Sequence, residues 1–139
     1  MAPESVPARK LPALEGETAF FWTSGADGTL RIQRCTECRT WQHPPLPRCA
    51  ACGSEALEAE PTSGKGRVAS YTINHEAWLP GLAVPFVLAA TELAEQPGLY
   101  VLANLDGPVT AARIGLPVAV RFEQYEDVWL PFFTPEDGL

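Results

Sequence analysis

Apolar and polar residues alternate along most of the second half of the chain, in short runs that turn residues separate. Alternation of this kind predicts half-buried β-strands. The pairs Pro80-Gly81 and Pro97-Gly98 are two of the turn signals between the runs. The predicted strands cover residues 67–75, 86–93, 100–105, 118–124 and 128–133.

The order and spacing of these five strands predict a small closed β-structure. Residues 107–117, between the third and fourth strands, leave room for a short helix or an irregular crossover. Five strands with a break after the third are typical of an OB-fold barrel, and a five-stranded SH3-like barrel would leave a similar pattern. We predict a mostly β fold in which residues 61–139 form a five-stranded OB-fold barrel.

The first half of the chain has a different pattern. Residues 17–24 (ETAFFWTS) predict a short helix, residues 25–28 (GADG) a tight turn, and residues 30–34 (LRIQR) a strand that leads into Cys35. Residues 61–66 (PTSGKG) predict a linker. The resulting organisation is a flexible arm over residues 1–16, an N-terminal helix and a four-cysteine ribbon over 17–60, and the barrel over 61–139.

The four cysteines form two Cys-x-x-Cys pairs with ten residues between the pairs. Two such knuckles supply a closed tetrahedral shell of thiolates, which is the donor set of a structural zinc site. A rubredoxin-like iron site has the same ligands and is the alternative. A closed shell leaves no position for water, so the ion is expected to stabilise the segment and not to catalyse hydrolysis. The predicted ligands are Cys35, Cys38, Cys49 and Cys52.

Charge is distributed unevenly along the chain. The formal net charge is −7, and residues 68–139 carry all of it, with two basic against nine acidic side chains. Residues 28–54 have a local charge of +3, from four arginines and Glu37. Because nucleic-acid binding requires Lys and Arg to neutralise phosphates, we expect the acidic barrel not to bind nucleic acid.

The sequence lacks a basic start followed by an apolar segment, so we predict no signal peptide. Its apolar runs are too short to cross a membrane. Paired cysteine knuckles in such a chain indicate metal binding and not disulfides. We therefore expect a cytoplasmic protein without membrane contact.

Catalysis by this chain alone is not expected. All four cysteines are assigned to metal, so none remains as a nucleophile. His43 lies between the knuckles, where we expect it to face solvent or to be hydrogen-bonded, because four thiolates already complete the shell. His75 and Glu76 are adjacent on a predicted strand end and point to opposite faces, so they are not a ready catalytic dyad.

Several aromatic residues lie in segments that we expect to be peripheral. A 139-residue chain is not expected to bury them all, and exposed aromatic side chains commonly anchor interfaces. Trp78, in the loop of residues 76–85, either plugs one end of the barrel or faces a partner or an acyl chain. The remaining members of this set are Phe20, Phe21, Trp22, Trp129, Phe132 and Phe133.

Taken in order, these features resemble a known family. The helix ETAFFW, the strand LRIQRC, the knuckles CTEC and HPPLPRCAACGS, the barrel entry SGKGRVASYT and the segments VPFVLAATEL, IGLPVAVRFE and LPFFTP follow its arrangement across about residues 17–135. The family combines a zinc ribbon with an OB-fold and is known as the acyl-CoA-associated family, or domain of unknown function 35. Gln42-His43 departs from it, where an aromatic or aliphatic residue is expected.

The resemblance implies a partner role. Family members are small non-catalytic partners of thiolase-superfamily enzymes, including thiolases and the aldolases that shorten steroid or aromatic acyl-CoA chains. It implies a hetero-oligomer with a thiolase-fold protein, of two plus two subunits, and in some members fusion to or association with a hydratase of the hot-dog fold. A CoA thioester would then be the ligand of the complex.

The local positive charge suggests where such a ligand would be held. The candidate contacts for CoA phosphates are basic residues near the knuckles and at the junction with the barrel. Two other classes of function stay open at this point: a single-stranded nucleic-acid-binding module and a rubredoxin-like electron carrier. The candidate phosphate contacts are Arg34, Arg39, Arg48, Lys65 and Arg67.

Overall fold

The computed structural model describes residues 11–77 and 80–136, so Trp78 and most of the N-terminal arm lie outside the described residues. One short helix, α1, is flanked by 3-10 turns at Gly16–Thr18 and Ser24–Asp27, and a further 3-10 turn spans Val109–Ala111. The elements are α1 (Ala19–Thr23), β1 (Arg31–Cys35), β2 (Trp41–Gln42), β3 (Leu57–Pro61), β4 (Lys65–Asn74), β5 (Phe86–Leu93), β6 (Tyr100–Leu105), β7 (Pro117–Tyr125) and β8 (Val128–Pro135).

The ribbon is a three-stranded antiparallel sheet in the order β2-β1-β3. β1 pairs with β2 through Arg34 opposite Trp41, and with β3 through Cys35 opposite Leu57. The sequence pattern predicted β1 and missed both of its partners. Because β3 extends to Pro61 and β4 begins at Lys65, the predicted linker over residues 61–66 is in fact a connection of three residues.

The second half is a closed barrel in the order β4-β5-β6-β8-β7, which confirms the OB-fold prediction. β6 and β8 are parallel, and the other pairs are antiparallel. The strands alternate as predicted: Val87, Ala89, Thr91 and Leu93 of β5 are all buried, while the residues between them are more exposed. Parallel strands need a crossover connection, which here runs from β6 to β8 by way of β7. The 3-10 turn lies in the first part of this connection, between β6 and β7.

One hydrophobic core joins the barrel to the ribbon. Leu30, Ile32 and Trp41 from the ribbon belong to the same buried cluster as Val68, Val101 and Phe133 from the barrel. Two hydrogen bonds fix the junction, since the backbone N–H of Trp41 donates to Gln96 Oε1 at 3.0 Å and Gln96 Nε2 donates to the carbonyl of Trp41 at 2.9 Å. The ribbon is therefore packed on the barrel and not merely tethered to it.

The structure shows which of the aromatic residues belong to the core. Phe133 is fully buried in the barrel, and Phe21 and Phe132 are nearly so. Phe133 belongs to the buried cluster of the barrel, the 3-10 turn at Ser24–Asp27 packs against β8, and the guanidinium of Arg121 lies 4.5 Å from the ring centre of Phe132. α1 packs against β8 and β1, which buries Phe21 while Trp22 remains half-exposed.

Candidate metal centre and its surroundings

Two turns of the same construction bring the cysteines together. The backbone N–H of Arg39 donates to the carbonyl of Cys35, and that of Gly53 donates to the carbonyl of Cys49, each at 2.9 Å. The residue after each Cys-x-x-Cys pair has a left-handed backbone, with φ of 67° at Arg39 and 80° at Gly53. Glycine adopts this conformation without steric cost. Arg39 adopts it while its side chain reaches Glu60 of β3, with 3.2 Å between Nη1 and Oε2.

The four sulfur atoms are placed as the ligands of one ion. All lie within 4.8 Å of one another, with 3.7 Å between Cys35 and Cys52 and 3.5 Å between Cys38 and Cys49. With Zn–S bonds of about 2.3 Å, a tetrahedron places its sulfurs about 3.8 Å apart. Cys35 and Cys49 are buried, and Cys38 and Cys52 face outward. The donor set fits a closed tetrahedral ion, with no free position for substrate.

Local hydrogen bonds favour the thiolate form, which is the metal ligand, at two of the four cysteines. The backbone N–H of Cys38 points at Cys35 Sγ at 3.4 Å and lowers the pKa of the Cys35 thiol. Hydrogen bonding to Thr40, whose Oγ1 lies 3.2 Å from Cys38 Sγ, lowers the pKa of Cys38 to about 6. At Cys52 a backbone hydrogen bond with Ser54 favours the thiolate, but desolvation and hydrogen bonds to the other three sulfurs outweigh it and raise the pKa to about 12. The hydrogen bonds thus prepare Cys35 and Cys38 for metal binding.

Two buried glutamines position the second knuckle, and the sequence patterns did not identify them. Gln33 of β1 donates from Nε2 to the carbonyl of Leu46 at 2.8 Å and accepts from the N–H of Leu46 at 2.9 Å. Gln42 of β2 donates to Gln33 Oε1 at 2.6 Å and to the carbonyl of Arg48 at 3.2 Å, and it accepts from the N–H of Ala50 at 2.9 Å. The proline-rich segment before Cys49 is thus fixed to the sheet by side-chain amides.

These bonds explain the departure at position 42 from the family pattern. A glutamine here, buried beside Gln33, satisfies backbone groups that a loop cannot pair by itself. Gln33 and Gln42 face each other in the β1–β2 register, so their side chains can hydrogen-bond to each other and to the same loop. Alternation gave no signal for either residue, since Gln33 stands at a polar position of LRIQR and β2 is too short for a periodicity.

His43 does not behave as the sequence analysis expected. Its ring packs on Phe21 with 4.7 Å between the ring centres, and its Nδ1 is buried without a hydrogen-bond partner among the described residues. Burial lowers the pKa of His43 to about 4, so the side chain is neutral at physiological pH. His43 is therefore an apolar packing element of the ribbon, and it lies outside the group of metal-ligand candidates that the structure brings together.

The five candidate phosphate contacts fall into three groups with different partners. Arg34 and Arg39 share Glu60, and the guanidinium of Arg34 also lies 4.4 Å from the ring centre of Trp41. Arg48 lies at the other knuckle, where its Nη2 is 2.8 Å from a carboxylate oxygen of Glu55.

The remaining two basic residues belong to the barrel. Lys65 Nζ is 2.9 Å from Glu136 Oε2, and Arg67 Nη1 donates to the carbonyl of Gly115 at 3.1 Å. Both side chains line one groove of about 380 Å³, which Glu92 and Glu136 also line. The local basic charge of the sequence is thus largely matched by carboxylates in the fold, which the count of charges along the chain could not reveal.

Within residues 11–77 and 80–136, no helix combines the length and the apolar character that crossing a bilayer requires.

Two family models match adjacent parts of the chain. Residues 22–58 match the model described as "ChsH2, rubredoxin-like zinc ribbon domain", and residues 59–123 match "ChsH2, C-terminal OB-fold domain". The boundary between the two models falls within β3, the last strand of the ribbon sheet.

Curated relatives include subunits of two kinds of enzyme. The "3-oxo-4,17-pregnadiene-20-carboxyl-CoA hydratase alpha subunit" of Mycobacterium tuberculosis is 34% identical over 143 residues, covering 98% of this chain and 45% of the relative. The "Benzoylsuccinyl-CoA thiolase subunit BbsA" of Geobacter metallireducens is 31% identical over 120 residues, covering 81% of this chain and 80% of the relative. The chain spans 40% to 45% of the length of the two hydratase alpha subunits that it matches.

A solved structure matches this chain over nearly the full length of the solved chain. It is described as the "Ltp2-ChsH2(DUF35) aldolase" and superimposes with a TM-score of 0.81 at 35% identity, covering 90% of this chain and 98% of that chain.

Proposed function

The chain belongs to the ChsH2 family of proteins, in which a rubredoxin-like zinc ribbon precedes an OB-fold domain, and from this we propose that it is a non-catalytic subunit or domain of a thiolase-superfamily enzyme. The enzyme would be a thiolase or a retro-aldolase that acts on acyl-CoA thioesters, of steroid or aromatic origin. The observation that carries the proposal is the match to one chain of an aldolase complex over 98% of that chain. The BbsA relative, a thiolase subunit, supports the same class of partner.

The chemistry of the chain agrees with a supporting role. The cysteines form a closed set, so neither a thiol nor an open metal position is available for carbon–carbon bond chemistry. His43 is half-buried against Phe21 and neutral at physiological pH. In this proposal the ion is a structural zinc bound by Cys35, Cys38, Cys49 and Cys52. It would hold the two knuckles together in a segment too small to fold on its own core.

Contact with the CoA thioester would be shared with the partner. Among the candidate phosphate contacts, we propose Arg67 as the best placed, because its side chain is exposed and donates to the neutral carbonyl of Gly115 and not to a carboxylate. Arg34 and Arg39 already neutralise Glu60, so an added phosphate would have to compete with that carboxylate. Replacing Arg67 by alanine should raise the KM for the CoA thioester in the complex and leave kcat unchanged.

Co-expression tests the proposal directly. The chain is produced together with the thiolase-fold protein encoded beside it, with an affinity tag on one protein only. The two should elute together in gel filtration, and light scattering should give the mass of two copies of each. Separate elution of the two proteins at micromolar concentration would contradict the proposal.

A further inference from the structure

An apolar groove of about 730 Å³ lies between the ribbon and the outside of the barrel. Its walls are the rings of Phe21 and Trp22 from α1, the segment from His43 to Pro45, and the outer faces of β4, β5 and β6. None of the described residues that line it carries a formal charge at physiological pH, because the pKa of His43 is lowered by burial to about 4. The groove therefore offers no positive charge to the phosphates of CoA.

The outer face of β6 makes this surface unusual for a barrel exposed to water. Leu102 is 68% exposed and Tyr100 is 47% exposed, because both point away from the barrel core. Outward positions of a strand that faces water usually carry polar residues. Across the pairing with β5, Leu88 is 39% exposed on the same side. In β7, by contrast, the residues on the outer face include Arg121 and Glu123, which pair with each other at 2.7 Å. Three of the seven large apolar side chains that are exposed among the described residues thus lie together on the outer face of β5 and β6.

A second groove of about 420 Å³ continues the same surface. Trp22 and Leu102 line both grooves, so they form the ridge between them, and Leu88 and Pro131 line the far side of the second. Two adjacent apolar depressions around an exposed ridge suit side chains that project from a protein surface. A single small ligand would fill one depression and leave the other in water.

We infer that this surface, the α1–β6 groove, is where the thiolase-fold subunit docks on the chain. The inference rests on the proposed function and identifies the surface that it uses. Two features select this occupant. The lining is neutral and apolar, which fits the desolvated centre of a permanent interface, and aromatic residues such as Trp22 and Tyr100 are the side chains that most often anchor such centres. The solved relative of 35% identity is itself described as part of a complex with an aldolase.

Replacing Leu102 by aspartate tests the inference, with Ile114→Asp as a matched control. Ile114 is 71% exposed and lies in the β6–β7 connection, outside both grooves. Both substitutions remove a leucine-sized side chain from water and add one negative charge, so neither should disturb the core. In co-purification with the thiolase-fold subunit, Leu102→Asp should weaken binding at least tenfold, while Ile114→Asp should stay within about twofold of the wild type. Leu88→Asp, on the second groove, should follow Leu102→Asp.

The experiment distinguishes a wrong docking surface from a wrong proposed function. If the wild-type chain does not bind the subunit, the proposed function fails and the inference fails with it. If the wild type binds and Leu102→Asp binds equally well, with circular dichroism and zinc content unchanged, the inference alone is wrong.

Two further results would assign the groove to another occupant and overturn the inference. One is a dimer of the isolated chain, detected by light scattering, that Leu102→Asp converts to a monomer. The other is stabilisation of the isolated chain by a neutral four-ring steroid such as progesterone, lost in Leu102→Asp.

Discussion

Replacing His43 by phenylalanine should remove a pH-dependent loss of stability. In the wild type the imidazole packs on Phe21, and its Nδ1 is buried without a partner among the described residues. Protonation would place a charge in this apolar position, which is why burial lowers the pKa of His43 to about 4. Phenylalanine keeps a ring against Phe21 and cannot be protonated.

The size of the effect follows from the two pKa values. In the unfolded chain a histidine has a pKa of about 6.5, and in the folded chain that of His43 is about 4. Between these values the unfolded state binds more protons than the folded state, so stability decreases as the pH falls from 6.5 towards 4. From pH 7.5 to pH 5.0, His43 alone should lower the free energy of unfolding by about 2 kcal/mol.

Urea denaturation of both proteins at the two pH values measures this contribution. Other titrating groups affect both proteins alike, so the difference between their pH dependences isolates His43. The wild type should lose about 2 kcal/mol more than His43→Phe between pH 7.5 and pH 5.0. At pH 7.5 the variant should be at least as stable as the wild type, because no buried Nδ1 is left unpaired. Equal pH dependence in the two proteins would refute the buried, neutral histidine.

Three further predictions concern the metal and the barrel. Elemental analysis of the purified chain should give about one zinc per chain, and Cys52→Ser should lose the metal and unfold the ribbon locally; stoichiometric iron would contradict this. Gly66→Ala should destabilise the barrel by roughly 1–3 kcal/mol, because the added Cβ would overlap the carbonyl oxygen of Glu92 in the β4–β5 pairing; an unchanged urea midpoint would contradict it. Burial opposes ionisation of Asp106, yet hydrogen bonds from Arg121 hold its pKa below the ordinary value. Asp106→Asn should therefore lower the free energy of unfolding by about 1 kcal/mol at pH 7. The difference in thermal midpoint between the variant and the wild type should shrink as the pH falls below the ordinary carboxyl range. A pH-independent difference would exclude the ion pair as its cause.

Local patterns predicted those parts of the fold that depend on local physics. The Cys-x-x-Cys spacing identifies the sulfur cluster because each pair is closed by its own turn, as the bonds to Cys35 O and Cys49 O show. The barrel strands were predicted because one face of each is buried, which imposes alternation. The predicted bounds of β5 and β6 agree with the structure to the residue, and those of β4, β7 and β8 differ from it by up to two residues at each end.

The missed elements depend on partners distant in sequence. β3 (LEAEP) alternates, but alanine, glutamate and proline are all uncommon in strands, so the signal is weak. The segment is a strand because its five residues pair with β1. β2 is two residues long, too short for any periodicity. The roles of Gln33 and Gln42 become visible when the hairpin places them side by side.

Burial of the aromatic residues also required the fold. Phe132 and Phe133 lie near the C-terminal end of the chain, yet both are buried once the barrel is closed, so position along the chain was a poor guide to exposure. Leu102 and Tyr100 are among the apolar residues that face water, and they lie in a predicted strand that has apolar residues on both faces. Trp22, which the sequence already suggested as an interface anchor, lines the same groove, so the structure adds the outer face of β6 to that candidate interface.

We propose that this chain supports catalysis by a partner and performs none itself. Cleavage of an acyl-CoA thioester can be measured with the chain alone, with the thiolase-fold protein alone, and with the reconstituted complex. We expect no turnover by the chain, little or none by the separate thiolase-fold protein, and full turnover by the complex. Turnover by the isolated chain, or full activity of the thiolase-fold protein without it, would rule out this supporting role.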